Sequence, residues 1–208
     1  MWVRVIACPD RGTIAPYARG LCEADFALQR YPRVRQVERL CDLLTERGIQ
    51  ASWALEESAG RPVMPRARGS RSAEPDFPLV CLDAWREFVD NHDQVAILDG
   101  YGLQSTDRFL YANLIHRTGI EAYLRAWQAL ASGDSAMVFF RVEDPAAHFD
   151  QVLEERGEDW ASKLFAYVER TSVAIRHGLW GKAGIVAFWA GYQALCLDLC
   201  QELCQELP

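Results

Sequence analysis

No CxxC pair, no HxxxH and no GxSxG occurs in the 208 residues, which removes the common signatures of zinc ribbons, helical metal sites and serine hydrolases. Seven cysteines, an odd number, fit reduced thiols better than a disulfide framework. No stretch approaches the roughly 18 uninterrupted apolar residues of a membrane span, and MWVRVIACPD lacks the long apolar core of a secretory leader. A cytoplasmic location without a membrane partner is the expectation. Excess positive charge is missing as well. The formal net charge of -7 argues against a surface that tracks nucleic-acid phosphates. An anionic small molecule needs only two or three arginines and stays compatible with that charge.

What is present describes a globular chain. Half of the residues are hydrophobic and a quarter charged, enough for one buried core, and residues 1–208 read as a single domain. Val3 to Cys8 is an apolar run that fits a strand covered on both faces. From Val34 the spacing turns helical through Val37, Leu40, Cys41 and Leu44, ending at Gly48. IQASWALEES then predicts a second strand. Gly60 to Pro75 carries four arginines among glycines and prolines and reads as a flexible loop, either a solvated linker or an arginine-bearing flap.

Helical spacing returns from Phe77 to Asn91, QVAILDGYG supplies a third strand, and Thr106 to Ala131 reads as a long helix interrupted at Gly119. SAMVFFRVED is a fourth strand, and Pro145 opens a helix with Asp144 as its N-cap. The chain closes helically from Trp160 to about Ser172 and from Lys182 to Leu207. Strands alternating with helices predict a doubly wound α/β three-layer sandwich on a mostly parallel sheet of four or five strands. In such sheets ligands sit beyond the carboxyl ends of the strands. That rule selects Cys8 to Gly12, Glu56 and Glu57, Asp99 to Gln104, and Arg141 to Asp144.

VAILDGYGLQSTDRFLYAN, VFFRVEDPAAHFDQVLEERGEDW and RHGLWGKAGIVAFWAGYQAL resemble the P-loop nucleoside and nucleotide kinase superfamily, in particular a thymidylate-kinase-like branch. The resemblance runs from Gln94 to the C-terminus and includes LCDLLTERGIQASWALEE. In that family the first strand is followed by GxxxxGK[ST], whose amides and lysine hold phosphates and whose hydroxyl holds Mg²⁺. The nearest match here is ACPDRGTI, a degenerate Walker A loop. Ala7 stands for the first glycine, Thr13 for the lysine and Ile14 for the hydroxyl residue, while Gly12 is kept and Asp10 adds a negative charge. Pro16 to Arg35 looks like an insertion of roughly 20 residues against a normal βαβ crossover. Losing a well-placed charge stabiliser costs on the order of 3–4 kcal/mol in the transition state. Arg11, Arg19, Arg33 and Arg35 are the cations near enough in sequence to compensate.

Asp99, at a strand end, is the candidate catalytic residue. The resemblance makes it the acid that assists catalysis or holds metal-bound water, and its chemistry alone suits a general base. The plain alternative is a carboxylate that accepts N–H bonds from the Gly100–Gly102 turn. Tyr101, Gln104 and Arg108 follow, with Gln104 and Arg108 one helical turn apart. The resemblance implies that an arginine and a glutamine here touch a substrate's phosphate or base, and that Glu56 meets its sugar or hydroxyl. Arg108 equally suits a surface ion pair, and Glu56 a solvated strand end. Residues 145–180 correspond to the family's lid, where Arg170 and Arg176 flank a helix end among interspersed acids and join the substrate-binding candidates. His116 and His148 have no partner spacing, and Trp53 and Phe140 read as core.

Cys196, Cys200 and Cys204 form one helical stripe beside Leu195, Leu199 and Leu203, which reads as core packing or as a metal or redox stripe. No metal ligand set and no resident cofactor are expected; ATP and Mg²⁺ enter only if the protein is an active kinase. The leading expectation is a kinase-fold protein that has lost ATP-dependent phosphoryl transfer and keeps a small-molecule cleft for acid–base chemistry in a biosynthetic pathway. Two alternatives stand beside it. One is an active nucleoside or small-molecule kinase with a divergent phosphate loop. The other is a non-catalytic pseudokinase that meets a protein partner, or a second copy of itself, through the C-terminal helices around Trp180, Phe188 and Trp189.

Overall fold

The computed structural model describes residues 2–7, 33–55, 77–92, 94–100, 106–131 and 135–205. The loop 60–75, Glu56, Tyr101, Gln104 and most of the Walker-like turn therefore lie outside the described residues. Four strands and eight helices are formed among the described residues, a mostly helical, mixed α/β chain. They fall into two compact units: residues 2–106 with 124–139, and residues 107–123 with 140–208.

The first unit holds the sheet. β1 (Trp2–Ala7), β2 (Ala51–Leu55), β3 (Val95–Asp99) and β4 (Ser135–Phe140) are ordered β2-β3-β1-β4. β2 and β3 are parallel, with Leu55 registered on Asp99, and α2 (Phe77–Asp90) lies between them in the chain. β1 departs from the pattern expected of a mostly parallel sheet. It runs antiparallel to β3, with Arg4 opposite Asp99 and Ala7 opposite Ala96. An apolar run buried on both faces reads alike in either direction, so only the connection decides, and the stretch 8–32 is long enough to reach either end of the sheet.

All five residues of β3 are buried, as a central strand demands. α1 (Arg33–Thr45) lays Val37, Leu40 and Leu44 on Val95 and Ile97, and the Cys41 thiol donates to the Ala51 carbonyl. Trp85 of α2 stacks near Phe88 and meets Trp127 at 5.3 Å. Trp53 departs from its core expectation. It is 36% exposed on β2, an edge strand of the sheet.

The second unit is helical. α3 (Thr106–Ala112) and α4 (Arg117–Ala131), which straddle the unit boundary, are separated at Asn113–His116, where Leu114 adopts φ 58. The break therefore precedes Gly119, which sits inside α4. α5 (Pro145–Arg156) begins as its sequence dictates, for the Asp144 carboxylate accepts from the Ala146 and Ala147 amides, each at 3.0 Å. α6 (Glu158–Val168), α7 (Ser172–His177) and α8 (Gly181–Gln205) follow. Phe149, Val168, Val173 and Ala174 close on Ile185 and Phe188 of α8, so region 145–180 forms one side of this unit's core.

By length and composition the stretch Gly181–Glu202 of α8 is apolar enough to cross a membrane. The fold supplies another reason for that composition. Ile185, Phe188, Tyr192, Cys196 and Leu199 are 0–1% exposed, one face of a core helix. Polar ties secure both ends of it. Arg117 meets Glu202 at 2.5 Å and Asp198 at 3.6 Å, and Lys182 pairs with Asp150. Gln193 accepts from the Val142 amide and donates to its carbonyl, which pins the chain after β4 to α8.

Gly184 lets α8 start where it does. A methyl group at that position would run into the backbone of Leu179. Gly184→Ala should therefore destabilise by about 1–3 kcal/mol, the usual range for overpacking, even though alanine favours helices. A urea midpoint at or above wild type in that variant would contradict the close approach.

Candidate functional site

The sequence-derived candidates separate between the units. Asp99 ends β3 in the sheet unit and is 2% exposed. Because β1 is antiparallel to β3, its last residue, Ala7, pairs with Ala96 and lies at the opposite end of β3 from Asp99. Cys8 to Gly12 lie outside the described residues. Arg108, Arg170 and Arg176 belong to the helical unit. Arg170 is exposed and donates from Nε to the Ala166 carbonyl one turn earlier, and Arg176 is exposed in the last turn of α7.

Arg108 differs. α3 carries its guanidinium to 5.7 Å from the ring centres of both Tyr167 and Trp189. Such cation–π contacts hold a planar guanidinium in place while leaving its N–H groups to bond elsewhere. Nε is buried and has no hydrogen-bond partner among the described residues. Among the described residues Arg108 forms no ion pair of the kind the sequence allowed.

Four neighbours belong to the arrangement, and of these the sequence singles out Cys196 alone. Asp107 is 0% exposed, and neither carboxyl oxygen has a hydrogen-bond partner among the described residues. Burial pushes its carboxyl well above the usual carboxylate range. Tyr192 is also 0% exposed, and its hydroxyl lies against the Cys196 thiol. Its pKa is raised first by burial, then by the Cys196 thiol and Asp107, while Arg108 draws it down. Burial likewise raises the Cys196 thiol, which is 1% exposed and packs in the core, while Cys200, one turn on, is only half-buried. Tyr111 lies edge-on to Phe188 at 5.2 Å and tilted against Tyr192 at 5.3 Å. Gly191 makes room for the Tyr111 hydroxyl, which a methyl group there would meet at 2.6 Å.

One signal for Asp107 was present in the sequence. It shares a helical stripe with Leu110 and Tyr111, at i+3 and i+4, and Leu110 is buried. Tyr192 and Cys196 stand in the same relation to Leu199. Among the described residues no group of three His, Cys, Asp or Glu gathers as a metal site. Comparison with protein-family models, with curated proteins and with solved structures finds no match for this chain.

Proposed function

We propose that this protein binds a small anionic molecule and that Arg108 holds the anionic group, on a kinase-like scaffold that no longer performs ATP-dependent phosphoryl transfer. The observation that carries the reading is the Arg108 guanidinium set against two rings, with a buried Nε unpartnered among the described residues. An unsatisfied buried donor costs about 1–3 kcal/mol, which a carboxylate or phosphate oxygen would offset with a charge-assisted bond. Descent from a doubly wound kinase-like sandwich is supported by the quoted motifs, by the parallel β2–β3 pair and by the interior place of β1 in the strand order. The direction of β1 counts against it. Acid–base chemistry at Asp99 is a separate proposal for the sheet unit, resting on its buried place at a strand end.

Thermal-shift and calorimetric titration of the full chain with phosphate monoesters and carboxylates tests the reading. Arg108→Met should abolish the stabilisation, and Arg108→Lys should lose at least tenfold in affinity because an ammonium cannot replace the planar donor. Unchanged binding by Arg108→Met overturns the assignment. ATP with Mg²⁺ at millimolar concentration should neither bind nor turn over. Stabilisation by the same ligands that is undiminished in Asp99→Ala would remove Asp99 from binding. The pseudokinase reading keeps one specific support: Trp180 is 56% and Ile175 62% exposed, near each other in the chain. Phe188 leaves that surface, since it is fully buried.

A further inference from the structure

The turn between α7 and α8 has no task in the Arg108 reading. Ile175, Arg176, His177 and Gly178 are exposed in succession, and Trp180 follows at 56% exposure. Backbone bonds fold this stretch into one fixed corner. The Ala174 carbonyl accepts from the amide of Gly178, whose φ of 64 is left-handed, and from that of Leu179 at 2.9 Å. The Trp180 indole Nε1 lies 4.0 Å from the place a Gly178 Cβ would take, so the ring rests beside the exposed turn. Two large apolar side chains therefore flank a turn that also carries Arg176 and His177.

The charge around this corner has one sign. The chain contains 29 acidic residues, yet no Asp or Glu occurs from Arg170 to Leu197, a stretch that holds Arg170, Arg176, His177 and Lys182. Acids that reach the corner from neighbouring elements are engaged. Glu169 accepts from the Gly181 amide at 2.8 Å, and Asp150 pairs with Lys182. Arg176 and His177 form no ion pair among the described residues. Beyond the corner, the exposed positions Ala183, Ala187 and Ala194 of α8 add no charge.

We propose that this corner is a peripheral attachment point for an anionic lipid surface: Trp180 and Ile175 enter the headgroup region while Arg176 and His177 meet its negative charge. Charge complementarity selects the occupant, because an acid-free stretch in a chain of net charge -7 is suited to a negative surface. Two apolar side chains at a turn fall short of the roughly 800 Å² that each partner of a stable protein interface buries, whereas a bilayer needs no matching shape. Apolar insertion and cations together supply the two signals that lasting attachment takes. The expectation of no membrane partner is thereby set aside. α8 itself stays in the core through Ile185, Phe188 and Tyr192, so the attachment does not span the bilayer.

Co-sedimentation of the full chain with phosphatidylcholine vesicles, pure or containing about one-third phosphatidylserine, tests the proposal. The chain should bind the mixed vesicles and not the pure ones, and raising salt from about 0.1 M to about 0.5 M should weaken binding several-fold. Trp180→Ser and Arg176→Glu should each lower partitioning at least about tenfold at an unchanged urea midpoint, since both side chains are exposed. Arg86→Glu makes the same change of net charge in the sheet unit and should bind as wild type does. Arg108→Met should also bind normally, which separates this proposal from the anion site; a loss there would move the lipid contact to Arg108. No binding of mixed vesicles by the wild type overturns the proposal, as does an equal loss in Arg86→Glu. A dimer in sedimentation equilibrium that Trp180→Ser dissociates would give the corner to a second copy of the chain and overturn it as well.

Discussion

Phe188→Ala should destabilise the protein by about 3–5 kcal/mol, the range for truncating a fully buried aromatic side chain. Phe188 is 0% exposed, lies edge-on to Tyr111 at 5.2 Å and stands at 89° to Trp189 at 5.6 Å. Edge contacts of this kind add about 0.5–1.5 kcal/mol beyond burial. The ring also packs with Phe149, Val168 and Ile185, which cannot collapse into the space without moving three helices. Urea denaturation followed by tryptophan fluorescence measures the loss. The outcome also bears on the apolar composition of α8. A helix placed in lipid would lose little folding stability in water from this substitution, whereas a core helix loses much of the 5–15 kcal/mol that domains typically possess. A midpoint unchanged within error would remove Phe188 from the core.

Asp107→Asn should change the pH dependence of stability in a direction opposite to ordinary acid denaturation. Burial places the folded-state pKa of Asp107 above its unfolded value, which lies near 3.9. The folded protein therefore holds this proton more tightly than the unfolded chain does. The contribution of Asp107 is fully present below the unfolded pKa and is lost as pH rises, up to the folded pKa, by as much as about 1.4 kcal/mol per unit. Asparagine does not titrate. The difference in unfolding free energy, wild type minus Asp107→Asn, should accordingly fall from about pH 4 upward. Urea midpoints at successive pH values give that difference directly. A difference that stays level across the range, or grows with pH, would mean that the carboxylate is solvated or paired in the folded protein.

The elements were legible wherever one local rule controls them. Asp144 and Pro145 start α5 because an acceptor side chain and a fixed φ solve a problem internal to one turn of helix. Val37, Leu40 and Leu44 face the sheet because their spacing leaves a helix no other apolar face. The helix break was read at Gly119 and falls at Leu114, since a left-handed residue there is held by the chain on either side and not by its own preference. Among the described site candidates, Arg108 is the one whose guanidinium the fold sets against two aromatic rings. Arg170 and Arg176 looked equivalent to it as residues, but a side chain's use depends on what stands opposite, and solvent stands opposite them.

By itself the sequence determined the apolar strands, the helical stripes, the N-cap at Asp144 and the absence of a lysine and a hydroxyl where the kinase resemblance needs them, because each is written in one segment. Only the tertiary structure decided that β1 runs antiparallel to β3, that Phe188 is core while Trp180 is surface, and that Asp107 and Tyr192 are both buried. Strand direction is set by a connection and not by the strand, and burial of a carboxyl group is set by what α8 brings against it across more than eighty residues of chain. No local periodicity carries either one.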